Sequence, residues 1–249
     1  MKRLHPAAAQ GFARAAGEYR RGRPGYPADA IDYLAERLRL GPGRTVVDLA
    51  AGTGALTRPL LDIGCEVIAV EPVGEMRAEL PAEARTVDGT AERIPLADGV
   101  ADAVTVAQAF HWFDGDAALA EIERVLRPGG GLALIWNKRV LEDPVNQAVE
   151  ELVAPYRAST PTHRGAWRGA FERTTLFGPL EERTFTLEHV QDADGLADRV
   201  ASISFIASLP PHERERVVAA ARELAADGSV TVPYRTEVFV CERDGDVLR

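Results

Sequence analysis

Thr45-Val-Val-Asp-Leu-Ala-Ala-Gly-Thr-Gly-Ala-Leu-Thr57 decides the fold of this 249-residue chain. Thr45 to Leu49 are apolar and β-branched, the composition of a strand buried on both faces. A glycine-bearing turn, Ala50-Ala51-Gly52-Thr53-Gly54, follows at once, and Ala55, Leu56, Leu60 and Ile63 then recur at helical spacing. Strand, tight turn and helix make a nucleotide cradle. Gly52 and Gly54 lack Cβ atoms, so a ligand can approach the backbone, and the helix start offers unpaired N–H groups. A dinucleotide cofactor would want a third glycine where Thr57 stands. Asp48, just before the turn, repels a pyrophosphate but suits a cofactor bearing an amino group or a sulfonium.

Outward from this stretch the pattern repeats. Before it, Pro27 and Asp29 open a helix that buries Ile31, Leu34 and Leu38, and Gly41-Pro-Gly43 stops it. After it, Cys65 to Val70 reads as a second buried strand ending in Glu71-Pro72. An acid there, roughly 20 residues past the turn, is where a ribose diol finds its acceptor; a helix N-terminal acid is the other reading. Val73 to Leu80 reads as a short helix, Arg85 to Val87 as a third strand and Asp102 to Gln108 as a fourth. The fourth strand runs into Ala109-Phe-His-Trp-Phe-Asp114, at the strand end where ligands of open α/β sheets bind. A helix bearing Leu119, Ile122, Val125 and Leu126 stops at Arg127-Pro-Gly-Gly-Gly131, and Leu132 to Trp136 makes a fifth strand. Alternating β and α elements imply a parallel sheet with right-handed crossovers.

The second half changes character. Asp143-Pro144 opens a helix, and residues 156–173 mix arginines and aromatics as an irregular cap. The strand-like runs 182–187 and 231–241 flank two helices near 193–204 and 211–226. The simplest assembly is a parallel sheet finishing in an antiparallel pair. A formal net charge of -9 argues against a general grip on nucleic acid, although Lys2 to Arg23 is locally basic. The two cysteines, Cys65 and Cys241, form no metal spacing. No apolar leader and no run of about 20 apolar residues appears, which points to a cytoplasmic protein without membrane contact.

Together these residues resemble the class I S-adenosylmethionine (SAM)-dependent methyltransferases, in the type-11 methyltransferase-domain group. Val46 to Gly54 looks like the first motif, and Val70-Glu-Pro72 with Met76 like the second strand and its adenine-facing methionine. Thr90-Ala-Glu-Arg-Ile-Pro95 resembles the adenine loop and Leu126-Arg-Pro-Gly-Gly130 the turn before strand five. Gln108-Ala-Phe-His-Trp-Phe113 and Tyr19…Arg23-Pro-Gly-Tyr-Pro27 resemble a subgroup that includes trans-aconitate-type carboxyl methyltransferases. Two positions depart from the family: Ala50 replaces its first glycine, and Thr90 stands where an adenine-binding Asp is usual.

The resemblance implies a Rossmann-like α/β fold: a seven-stranded, mostly parallel sheet with an antiparallel last strand and helices on both faces. It implies one domain over 1–249, with an N-terminal lid (1–27), a SAM-binding core (28–137), a cap (138–180) and C-terminal helices with the antiparallel pair (181–249). Asp48, Ala50, Gly52, Thr53 and Gly54 would hold the methionine arm, and Glu71 with Pro72 the ribose. Met76, Thr90, Ala91 and Glu92 would hold the adenine, with Gln108, Ala109, Phe110, Tyr19 and Arg23 completing the cofactor set. The acceptor would be a small molecule, methylated at a carboxylate or hydroxyl oxygen and held by Arg20, Tyr26, Trp112, Trp136, Arg164, Trp167 and Arg168. His111 is the candidate general base, with a structural ring or a cofactor contact as the other readings. S-adenosylhomocysteine would be the product, with no metal needed and the protein a monomer or homodimer. A non-methylating SAM protein such as a cyclase, or an NAD-dependent oxidoreductase, is the alternative.

Overall fold

The structure is a computed structural model and describes residues 16–157 and 167–244. β1 (Thr45–Leu49) pairs in parallel with β2 (Glu66–Val70) on one side and β4 (Ala101–Ala107) on the other. β3 (Arg85–Val87) extends the sheet beyond β2, and β5 (Leu126–Arg139) lies beside β4, both parallel. With β6 (Glu181–Gln191) and β7 (Val230–Glu242) the order is β3-β2-β1-β4-β5-β7-β6. The sheet is mostly parallel, with the last strands antiparallel. Strand order reverses between β1 and β4, and such a switch point opens a crevice at the carboxyl ends of the strands.

Period-two alternation builds both faces. Val47, Leu49, Ile68, Val70, Val104 and Val106 pack on one side against Leu119, Ile122 and Val125 of α5 (Gly115–Val125). Val46, Val67, Ala69 and Ala103 point the other way, against Ile31 and Leu34 of α2 (Ala28–Leu38) and Leu60 of α3 (Thr57–Asp62). β7 alternates as its sequence indicates, with Val238 and Val240 in one layer and Phe239 and Cys241 in the other. Both cysteines are free and buried.

The glycine turn expected between helix and fifth strand lies inside β5 instead. Ala101 pairs with Leu126 but Ala103 with Gly131, so Arg127 to Gly130 loop out of register while the strand begins directly at the end of α5. A Cβ on Gly130 would sit 2.8 Å from the Asp102 carbonyl oxygen, so the loop closes tightly on β4. The expected helix from Val73 to Leu80 is only α4 (Gly74–Arg77).

The chain groups into two compact units. One comprises the described residues 26–136, 167–185 and 236–244; the other 16–25, 137–157 and 186–235. Residues 167–180, expected in the cap, thus group with the core. The second unit has its own apolar centre of Val149, Val153, Leu196, Val200, Val217 and Tyr234. Within it α1 (Ala16–Gly22) is fastened to α8 (Ala193–Ala201) and α10 (Pro211–Glu223): Arg21 pairs with Asp198 at 2.6 Å and Arg214 with Glu18 at 2.9 Å. The remaining helices are α6 (Pro144–Val153) and α9 (Ser204–Ala207) here and α7 (Arg168–Arg173) in the first unit. The segment expected as a lid is, in its described part, an anchored helix. Among the described residues no helix is long and apolar enough to cross a membrane.

Candidate cofactor and acceptor site

The corner after β1 is held from below by Asp48. Its carboxylate is fully buried; Thr57 Oγ1 donates to Oδ2 at 2.6 Å, and Thr105 Oγ1 to Oδ1 at 3.1 Å. Thr105 is the cross-strand partner of Asp48 on β4, and Thr57 opens α3, so one side chain ties β1, β4 and α3 together. Burial pushes the carboxyl up to about 6 against the two hydroxyl bonds that oppose it, and the nearby charge of Glu71 adds to the rise. Asp48 was expected to reach the methionine arm itself. Fully buried, it shapes the turn through its bonds to Thr57 and Thr105.

Above it the backbone takes a ligand-ready form. Ala50, Gly52 and Gly54 all have positive φ, at 56°, 59° and 84°. Ala50 thus stands in the conformation that favours the family's glycine. A Cβ added at Gly52 would find only the Met76 sulfur, at 4.0 Å, so open space lies beside the turn. Gly54 is different: a Cβ there would lie 2.9 Å from Pro81 Cδ. Arg58, which sequence reasoning missed, donates to the carbonyls of Thr53 at 2.7 Å and Glu79 at 2.9 Å.

Glu71 closes the corner from β2. Its Oε2 accepts from Gly52 N–H and its Oε1 from Val73 N–H, both at 2.9 Å. Each oxygen keeps a second lone pair, so the carboxylate can still accept from two hydroxyls. Burial raises its pKa, and the two amide bonds pull it back. Arg77 donates to the Glu71 carbonyl at 2.6 Å. Met76 and Ala91 are buried nearby in the same unit. Thr90 pairs with Arg93 through the backbone in both directions. Glu92, expected on the adenine, accepts from the Asp114 N–H at 3.0 Å, at the start of α5.

At the tip of β4, Gln108 also has positive φ, 59°, a strained conformation for a non-glycine residue beside a candidate site. Phe110 to Trp112 form a 3-10 turn. Phe110, expected on the cofactor, is core: it is 1% exposed and packs on Phe113, Phe171 and Trp167. Trp136 Nε1 donates to His111 Nδ1 at 3.3 Å. An indole only donates, so Nδ1 carries the lone pair and the neutral ring holds its proton on Nε2. That bond engages one nitrogen of the candidate base.

Trp136 stacks on Trp167 with ring centroids 4.8 Å apart, and Phe239 meets both edge-on. Arg168 lies over the Trp167 and Phe239 rings and pairs with Glu182 at 2.7 Å, so its charge is already balanced. Tyr26 packs partly buried against the α2 side of the sheet. Tyr19, Arg20 and Arg23 belong to the other unit, and Arg164 lies outside the described residues. Among the described residues no group of His, Cys, Asp and Glu could hold a metal ion.

The switch-point corner, the open glycine and the acid at the β2 tip are those of a Rossmann-like α/β protein. The methyltransferase domain family matches residues 47–134. An uncharacterised methyltransferase of Mycobacterium tuberculosis is 37% identical over 246 residues, covering 93% of this chain and 94% of the relative. A solved protein from Anaeromyxobacter dehalogenans, provisionally described as a type II methyltransferase, superposes with a TM-score of 0.62 at 24% identity, over 89% of this chain and 96% of that one. The phosphoethanolamine N-methyltransferase 2 of Haemonchus contortus, solved with phosphomonomethylethanolamine and S-adenosylhomocysteine, gives 0.56 at 14% identity, over 93% and 57%. This chain belongs to the class I SAM-dependent methyltransferases.

Proposed function

We propose that this chain binds SAM at the Ala50–Glu71 corner and transfers its methyl group to an oxygen of a small, anionic acceptor. One observation carries the reading: Gly52 offers open space and Glu71, fixed by two backbone amides, keeps acceptor capacity beside it. When bound, SAM supplies a methyl group already activated by a sulfonium. Glu71 accepts the ribose hydroxyls, Met76 and Ala91 pack on the adenine, and the turn from Ala50 to Gly54 takes the amino-acid arm. Asp48 contributes by fixing the curvature of that turn and by its buried negative charge.

The remaining work is alignment and the exclusion of water. An effective molarity on the order of 10⁵ M is worth about 7 kcal/mol, a large share of the barrier. The Trp136 and Trp167 rings supply an apolar wall for this. His111, its tautomer fixed by the Trp136 bond to Nδ1, stands at the tip of β4 and helps to orient the acceptor. A carboxylate arrives ionised and needs no base, which agrees with that tautomer. An NAD-dependent alternative finds no support here: Thr57, in place of the third glycine, is committed to Asp48.

Calorimetric titration with SAM and NAD(H) tests the cofactor, and the mass of the product tests the transfer. SAM is expected to bind and Gly52→Val to abolish that binding. Equal affinity in the parent and in Gly52→Val would sink the reading, and an acceptor returned without one added methyl would sink methylation.

A further inference from the structure

The unit of residues 16–25, 137–157 and 186–235 holds a group of arginines that the proposed cofactor corner does not use. Arg199, on α8, is 8% exposed; its Nε donates to the Tyr234 hydroxyl at 3.1 Å, and its buried Nη1 meets no acceptor among the described residues. Arg139, the last residue of β5, donates through Nη2 to Glu150 at 2.5 Å, and its Nη1 is likewise buried without an acceptor. Glu150 also takes Arg157 at 2.6 Å. Among the described residues, one carboxylate therefore serves two guanidinium groups, and the Arg199 side chain has a phenol hydroxyl alone.

Arg23 adds a third cation on neutral acceptors, its Nε on Ser202 Oγ at 3.0 Å and its Nη2 on the Ser202 carbonyl at 3.3 Å. Burial, then the charges of Arg199 and Arg139, brings Arg23 down to about 10, and burial and Arg199 lower Arg139 too. His189 Nδ1, within the field of Arg199, is also buried without a partner among the described residues. A buried cation without a counter-charge is costly, and a ligand that brings the charge relieves that cost.

We infer that Arg139 and Arg199 form a binding site for an oxyanion, a carboxylate or phosphate group of a small ligand, received by their two unengaged Nη1 groups. Guanidinium groups suit this because their planar donors match the spacing of oxyanion oxygens. Arg23, in the same unit, adds its positive charge to the field of the pair. This site does not depend on the methyl-transfer reading.

The test titrates the full chain with inorganic phosphate and with citrate, in buffer of matched chloride strength and without SAM. At least one is expected to bind saturably and to raise Tm. Arg199→Met and Arg139→Met should each weaken that binding roughly tenfold to a hundredfold. Phosphate alone binding would assign a phosphate ligand, and citrate alone a carboxylate. Arg139→Met supplies the same reading should Arg199→Met not fold. Neither anion binding more tightly than chloride, or a folded variant binding as well as the parent, would overturn the site. Loss of anion binding in saturating S-adenosylhomocysteine would also overturn it, because the arginines would then serve the carboxylate of the cofactor. S-adenosylhomocysteine titrated separately reads the cofactor proposal, so the two failures are distinct.

Discussion

Asp48 shows how one residue carries an acid's usual signature and a different task. Its carboxyl titrates near 6 in the fold against an ordinary 3.8, because burial outweighs its two hydroxyl partners. Between about pH 4 and 6 the folded state therefore holds more protons than the unfolded one. The stability due to this group falls as pH rises through that window, on the order of 2–3 kcal/mol in all. Asp48→Asn should remove that slope, so in urea denaturation the stability at pH 7 relative to pH 4 should rise by about 2–3 kcal/mol over the parent; an unchanged pH dependence would refute the assignment. Glu71 behaves otherwise, since both its oxygens receive amide protons. Glu71→Gln turns one acceptor into a donor facing an N–H, which costs about 1–3 kcal/mol of stability. It should also weaken SAM binding at least roughly tenfold, read by calorimetry. The glycines and the acid of this corner are legible in sequence because strand, turn and helix are consecutive. The roles of Thr57, Thr105 and Arg58 are not: Thr105 reaches Asp48 only through the register of β1 on β4, 57 positions along the chain. The Trp136–His111 bond, across two strand ends, was hidden for the same reason.

Among elements, the central strands and α2, α3 and α5 follow their apolar periodicity, and the antiparallel ending is foreshadowed by the alternation in β7. Two elements depart from local rules. Arg127-Pro-Gly-Gly130 reads as a terminator, yet β4 pairs with both its flanks, so it becomes a loop within one long strand. The helix before Gly22 draws its stability from distant partners: Asp198, Arg214 and Gln191, whose amide donates to the Gly22 carbonyl at 3.1 Å. Gly22 itself packs against the backbone of α8. A Cβ there would lie 2.2 Å from the Arg199 backbone nitrogen, so Gly22→Ala must push the helices apart. The expected loss is about 1–3 kcal/mol, with faster hydrogen exchange in residues 16–23. Wild-type protection in that variant would contradict the packing. Deleting the chain through Arg23 should by the same argument destabilise the unit around Val200 and Tyr234, beyond any effect on ligand affinity.

For the whole molecule, the decisive property is that its two units draw on separated stretches of one chain, with β5, β6 and β7 each contributing residues to both. Boundaries of this kind escape a linear reading, which divides a chain into consecutive segments. The tryptophans fall unevenly across this division. Trp112, Trp136 and Trp167, the full complement of the chain, all belong to the unit that carries the glycine turn. Indole emission therefore watches that unit alone, whereas far-ultraviolet circular dichroism registers helices in both. If the long shared strands make unfolding cooperative, the two signals will melt on one curve. A dichroism transition that precedes the loss of indole emission would instead mark the other unit as a separately melting body, detectable with no label added.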